Sequence, residues 1–394
     1  MDRRKFLKNT ALSASGVSLL SSFPGKILAR GNKNNLICRT LGNTGIKIPV
    51  ISMGVMRSDN PNLVKAALDR GIKHLDTAHG YMGGRNEEML GNLLKQFPRD
   101  SFVISTKIKG QGMNMDTGLF TGSISIQSFI DDFHLSLKRL QMDYVDILYL
   151  HGVTQKEAAV FEPYMKTLQQ FKKEGKARYI GISTHKNEPE TILAAANSGI
   201  YDIILTSINF QQDHIREVKA AIATASAKGM GIVAMKTLAG GFIDRERKIP
   251  VDARAAIKYV LQDEHVHTVI PGFTTFEELE TTLSVMNDIE LHKEEIEKLD
   301  WLKSQGSIYC DGCQHCSATC RKKLPVPEIM RSYMYAYGYN QKMEAKYLLS
   351  SLNLGENPCG DCNDCTIDCL KKFNIRDKIT DIARLRNTPA EFLS

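Results

Sequence analysis

Two short cysteine runs stand near the C-terminal end of a 394-residue chain: CDGCQHCSATC, from Cys310 to Cys320, and CGDCNDCTIDC, from Cys359 to Cys369. Both follow the spacing Cys-x2-Cys-x2-Cys-x3-Cys. Thiolates at this spacing grip one iron–sulfur cube with three sulfurs while the fourth reaches towards a second cube. Cys310, Cys313, Cys316, Cys320, Cys359, Cys362, Cys365 and Cys369 are therefore expected to hold two 4Fe-4S clusters. Two other chemistries use cysteine. Structural zinc sites show separated ligand pairs rather than four cysteines in one short run. Disulfides between cysteines this close would close strained loops. No proline follows either fourth cysteine; Arg321 and Leu370 stand there. The ninth cysteine, Cys38, is isolated in a predicted hairpin and reads as a small apolar side chain.

The opposite end carries a different signal. Arg3 and Arg4, followed by Lys5-Phe6-Leu7-Lys8, a weakly apolar stretch from Ala11 to Leu20 and a small Ala29, resemble a twin-arginine export signal over residues 1–30. A protein loaded with clusters receives them where thiols are reduced and must then cross a membrane already folded. The twin-arginine export machinery carries folded cargo. A periplasmic location is thus expected, with no membrane anchor in the mature chain. The net charge of +7 resides mostly in this segment, where Arg3, Arg4, Lys5, Lys8, Lys26 and Arg30 face only Asp2. The remainder is close to neutral, so the charge balance offers no footprint for nucleic acid.

Between these ends, eight short apolar runs alternate with amphipathic stretches. The runs are residues 50–55, 74–79, 102–108, 145–151, 179–184, 203–209, 231–237 and 267–272. Most are rich in β-branched residues and short enough for buried strands. The stretches between them, such as 63–71 and 128–140, space apolar residues three and four apart. Eight strand–helix units predict an α/β fold, a (β/α)8 TIM barrel over residues 36–300, with a small α-helical two-cluster domain over 301–394. Residues 36–49 read as a hairpin plugging one end. An open doubly wound sheet is the alternative, but the first unit lacks the glycine-rich turn of that dinucleotide fold. Chemistry in such a barrel sits at the C-terminal strand ends. Asp76, Tyr81, Lys107 and His151 fall at or just beyond three consecutive strand ends and could converge on one mouth.

These residues carry a family resemblance. DTAHGY (76–81), STK (105–107), LYLHG (148–152), GISTH (181–185) and VIPGFTTFEEL (269–279) resemble the signatures of the aldo-keto reductases, and the C-terminal part is similar to the ferredoxin-type extension of one bacterial branch. The resemblance implies a barrel that uses NADP or NAD to interconvert a small-molecule carbonyl and an alcohol. It implies that Tyr81 gives the proton, that Lys107 favours the phenolate and Asp76 aims Lys107, and that His151 orients the substrate oxygen. It further implies cofactor contacts. Ser183 and Thr184 hold the carboxamide, together with Ser207. Phe210 lies against the nicotinamide ring, and Lys236, Leu238 and Gly240 wrap the diphosphate. Gly272 and Glu278 stand where NADP-preferring relatives place a Lys and an Arg, which leaves NAD and NADP both open. A hydride carries two electrons and a cube passes one, so the clusters are read as structural or as a path to a redox partner protein. The competing class is a non-catalytic electron-transfer or assembly subunit built on the same barrel.

Overall fold

A computed structural model describes residues 36–394, apart from 115, 116, 353, 361, 363, 364 and 394. The export signal expected over residues 1–30 lies outside the described residues. The chain opens with an antiparallel pair, β1 (Cys38–Thr40) and β2 (Lys47–Pro49), joined through a single 3-10 turn, Gly42–Thr44. Eight parallel strands follow: β3 (Met53–Gly54), β4 (His74–Asp76), β5 (Val103–Ile108), β6 (Val145–Leu150), β7 (Ala177–Thr184), β8 (Ile203–Ser207), β9 (Gly231–Met235) and β10 (Thr268–Val269). Each pairs with its sequence neighbours. The ring closes where Ile51 bridges Val269, Ser52 N–H donates to Val269 O at 2.8 Å and Gly54 N–H donates to Pro271 O at 3.2 Å. All eight expected strands are present. The last is shorter than its apolar run, partly because Pro271 has no N–H to extend the ladder.

Parallel strands covered on both faces read as near-continuous apolar runs. Accordingly, Ile147, Tyr149, Ile203, Leu205 and Val233 fill the barrel interior, while Leu148, Leu150, Ile180, Ile182 and Ile204 pack outward under the helices. The hairpin places Leu41 and Ile48 among the interior set, which plugs the barrel as expected. Gly181 is required in β7: a Cβ there would meet Ile203 O at 2.3 Å and the Tyr149 ring at 2.9 Å. The helix Ile126–Leu140 shows how the outer layer forms. Ser125 caps it by accepting from Ser128 N–H, and Phe129, Phe133, Leu137 and Leu140 recur on its buried face.

The helix Lys293–Ser304 crosses position 300 and packs on the barrel helix Ala253–Leu261. Beyond it come the helices His315–Thr319, Val326–Tyr333, Lys342–Ser350 and Ile375–Ala383. Their core holds Val326, Ile329, Met330, Ala345, Leu349, Ile375, Ile379 and Ile382, together with Cys316. A single helix over about 331–352 is the reading of the sequence. The structure breaks it instead: a π turn, Met334–Gly338, and a left-handed Asn340 separate two helices. This kink lets Met334 and Tyr309 join Phe210, Ala239, Leu299 and Leu302 in a shared core between extension and barrel.

Candidate active site at the barrel mouth

Asp76 ends β4 and Lys107 lies near the end of β5, so parallel pairing brings them side by side. Both are almost fully buried, and Lys107 Nζ lies 2.5 Å from Asp76 Oδ2. Nζ also donates to Thr77 O at 2.6 Å and to the Tyr81 hydroxyl at 3.3 Å. Tyr81 follows β4 on a tight turn in which Met82, Gly83 and Gly84 all have positive φ. Conformations of this kind persist where surrounding contacts over-determine them. Here Thr77 Oγ1 donates to Asn86 Oδ1, whose amide donates to Val55 O and Ser58 O. Arg139 donates to His79 O and pairs with Glu87. His151 follows β6 and meets the Tyr81 ring edge-on, centroids 6.1 Å apart. The four residues expected to converge do so.

A further layer, which the sequence analysis did not single out, stands behind these four. Ser105 Oγ donates to Asp76 Oδ1 at 2.6 Å, and His74 Nε2 lies 2.9 Å from Ser105 Oγ. Because the Ser105 proton is directed at the carboxylate, His74 must carry its own proton on Nε2. Burial lowers His74 to about 4, against the pull of Asp76, so the ring is neutral.

The electrostatics assign protonation states. Burial, followed by Asp76 and Glu344, pushes the Tyr81 phenol well above its ordinary value, so it is a protonated donor. Burial lowers Lys107, opposed by Asp76. Burial, then Lys107, Lys109, Arg331 and Lys236, hold His151 well below its ordinary value, so it is neutral. Arg331 and Glu344 belong to the extension. Their arrival at the mouth has no signal in the sequence, because nothing there says which end of the barrel the extension covers.

The residues assigned to the cofactor all stand at the same face, though several are already engaged. Gly152 N–H donates to Ser183 Oγ at 2.9 Å, and Thr184 Oγ1 donates to Lys186 O at 3.2 Å. Ser207 lies against the Tyr309 phenol of the extension. Phe210 is packed with Tyr309 and Met334 rather than facing an open mouth. Leu238 is partly buried beside that core. Gly240 is covered closely, since a Cβ there would meet Met334 at 3.3 Å. Gly272 approaches Gly54 O and Arg57, and Glu278 accepts from Thr274 N–H and Oγ1 at 2.7 and 3.1 Å, so it is occupied in capping its own helix. Lys236 and Thr237 fit an anionic cofactor best. Lys236 sits in a left-handed conformation, φ 56°, and burial, then Arg331, lower it to about 7. Among the described residues, Thr237 Oγ1 is buried without a hydrogen-bond partner.

The cysteines group across the two runs. Cys310 and Cys316 share Cys313 as a neighbour, and Cys316 also faces Cys369. Cys320 lines a separate small cavity with Cys359, Cys362 and Cys365. Thr366 Oγ1 donates to Thr319 O at 2.6 Å and stitches the runs together. Among the described residues, no three His, Cys, Asp or Glu side chains converge tightly enough for a single metal ion.

Residues 51–254 match the Aldo/keto reductase family, and the chain belongs to that family. It is 26% identical over 293 residues to the L-galactose dehydrogenase of Arabidopsis thaliana, covering 64% of this chain and 88% of that protein. It is 24% identical over 328 residues to the L-glyceraldehyde 3-phosphate reductase of Escherichia coli O157:H7, covering 68% and 93%. An aldo-keto reductase of Bacillus halodurans in its holo form shares the fold, with a TM-score of 0.54 and 23% identity over 68% of this chain and 96% of that one.

Proposed function

We propose that the barrel is a nicotinamide-dependent oxidoreductase interconverting a carbonyl and an alcohol. The observation that carries this is Lys107 Nζ held between the Asp76 carboxylate at 2.5 Å and the Tyr81 hydroxyl at 3.3 Å, with His151 alongside. A reduced nicotinamide, when bound, supplies a hydride to the carbonyl carbon. The protein supplies the rest. Lys107 donates to the Tyr81 oxygen, which leaves the phenol's own proton free for the substrate oxygen. The phenolate left behind forms beside a fixed cation, where it is stabilised. Neutral His151 donates an N–H to the same substrate oxygen and sets its approach. Solvent returns the proton to Tyr81, and the reverse sequence oxidises an alcohol.

Replacing Tyr81 with Phe is expected to lower kcat by about a hundredfold to ten-thousandfold. Nucleotide affinity, measured by fluorescence titration, stays near the wild-type value. Wild-type turnover in Tyr81→Phe would overturn the assignment.

The same reading gives each cysteine group one 4Fe-4S cluster: Cys310, Cys313, Cys316 and Cys369 for one, and Cys320, Cys359, Cys362 and Cys365 for the other. It also gives the chain folded export through its twin-arginine segment. Support comes from the paired spacing and from the grouping of the fourth cysteine of each run with the opposite three. Anaerobic purification from the periplasmic fraction, with iron, sulfide, zinc and nucleotide analysis, tests all of this together. Near-equal iron and sulfide with the native chain in the periplasm is the expected result. Zinc in their place, or retention in the cytosol, refutes the cluster or the export reading respectively.

A further inference from the structure

The extension forms one wall of the mouth that holds Tyr81 and His151. Arg331, on the helix Val326–Tyr333, donates to His185 Nε2 and pairs with Glu328, and its side chain is 15% exposed. His185 lies against Gly152, 4.0 Å from where a Cβ would stand, and Gly152 adjoins His151. Lys109 follows β5, two residues past Lys107, and is exposed. The charged neighbours of Lys109 are Arg331, Glu328 and Glu344, and both Lys109 and Arg331 act on His151. Charged side chains crowd this mouth, and most of them are already paired. The cations are Lys107, Lys109, Lys186 and Arg331, joined in part by Lys236, which burial and then Arg331 lower to about 7. The carboxylates are Asp76, engaged by Lys107, Glu87, engaged by Arg139, Glu328, shared by Lys186 and Arg331, and Glu344. Glu188, buried and acting on Lys236, is engaged by His214 and Gln212. Among the described residues, no carboxylate lies within ion-pair distance of Lys109 Nζ. Grouping like charges in a low-dielectric cleft is unfavourable until an opposite charge arrives. Lys236, in the loop the resemblance gives to the cofactor diphosphate, answers one side of the mouth. On the other stands Lys109, beside the Arg331 guanidinium that Glu328 also engages.

We propose that the substrate carries an anionic group, a carboxylate or a phosphate, beside its reacting carbonyl, and that Lys109 of the barrel and Arg331 of the extension bind it. The planar guanidinium suits either anion, and the lysine adds a mobile point charge. This rests on the carbonyl-reducing reading of the Tyr81 site and adds the substrate class. It also gives the extension a part in specificity.

The test compares matched probes on the holoenzyme: glyceraldehyde with glyceraldehyde 3-phosphate, and butanal with succinic semialdehyde. The anionic member of at least one pair is expected to show a kcat/KM about tenfold higher or more, and Lys109→Met and Arg331→Met are each expected to cut that ratio about tenfold, through KM. Preference within the phosphate pair alone or the carboxylate pair alone names the group. Equal use of neutral and anionic probes, or a ratio that neither substitution moves, overturns the proposal. Arg331→Met removes a partner of buried Glu328, so its melting temperature is measured as well. Lys109→Met, at an exposed position, carries the test if Arg331→Met does not fold. Should no probe be turned over, calorimetry with inorganic phosphate and with succinate decides. Binding that weakens in Lys109→Met keeps the anion site while the reaction reading fails, and no binding to the wild type refutes the site.

Discussion

Two buried lysine–carboxylate pairs meet at the mouth, one inside the barrel and one between barrel and extension. Lys107 and Asp76 sit on adjacent strands, 2.5 Å apart, with side chains 2% and 3% exposed. Lys186 and Glu328 join the segment after β7 to an extension helix, 3.5 Å apart and each 5% exposed. The burial is similar, but the origin differs. Strand register sets the first pair directly, since Asp76 pairs with Ser105 and Lys107 lies two residues on. The second exists only because a separate helical layer docks there. Register is a local property, whereas docking is a global one. The barrel pair is therefore built for fixed geometry, and the bridging pair reports whether the extension is seated.

Removing the barrel cation should have the largest effect. Lys107→Met leaves the Asp76 carboxylate buried with Ser105 as its side-chain donor. The expected cost is about 3–5 kcal/mol of folding stability, because a buried charge loses its partner. Urea titration measures it, and turnover should fall with it. A cost no larger than that of breaking the bridging pair would erase the distinction between the two.

A smaller effect tests the layer behind the barrel pair. Burial lowers His74 from 6.5 to about 4 in the folded chain. Between those values the unfolded chain holds a proton that the folded chain refuses. Stability is thus intact above pH 6.5 and falls as the pH drops towards 4, by about 3 kcal/mol in total. Urea midpoints collected across that window show the slope, and His74→Gln should flatten it. An unaltered slope in His74→Gln would mean that other groups govern the acid limb.

The same contrast explains what could be read from the sequence. Apolar runs of the right length located all eight strands, and strand ends located Asp76, Tyr81, Lys107 and His151. Such signals depend on residues close along the chain. Ser105 and His74 could have been suspected, since they lie on the same strand ends as Lys107 and Asp76 and point to one interior. Arg331 and Glu344 could not, because the barrel residues they influence lie about 95 to 263 positions away along the chain. The helical break at Met334–Gly338 left a faint trace in Gly338 and Asn340, and packing against Gly240 and Ile308 decides its course. Phe210 illustrates the cost of reading one region alone. Its place beside β8 suited a cofactor contact, yet Tyr309 and Met334 from the extension claim its ring.

The bridging pair supplies the finest test. Burial alone would raise Glu328, but Arg331, Lys186 and Lys236 outweigh it and hold the carboxylate ionised, below its ordinary value. Glu328→Gln keeps the shape and one acceptor oxygen while removing the charge, which leaves buried Lys186 and Arg331 without their shared counter-ion. The expected loss is about 2 kcal/mol. Its location matters more than its size. Hydrogen exchange should quicken along Val326–Tyr333 and Lys342–Ser350, while the strands β4 to β7 keep their protection, because the barrel closes through its own ladder and core. Uniform loss of protection across both regions would show that extension and barrel open as one cooperative unit. The mouth would then depend on the docked layer as much as on strand register, and the contrast between the two pairs would fail.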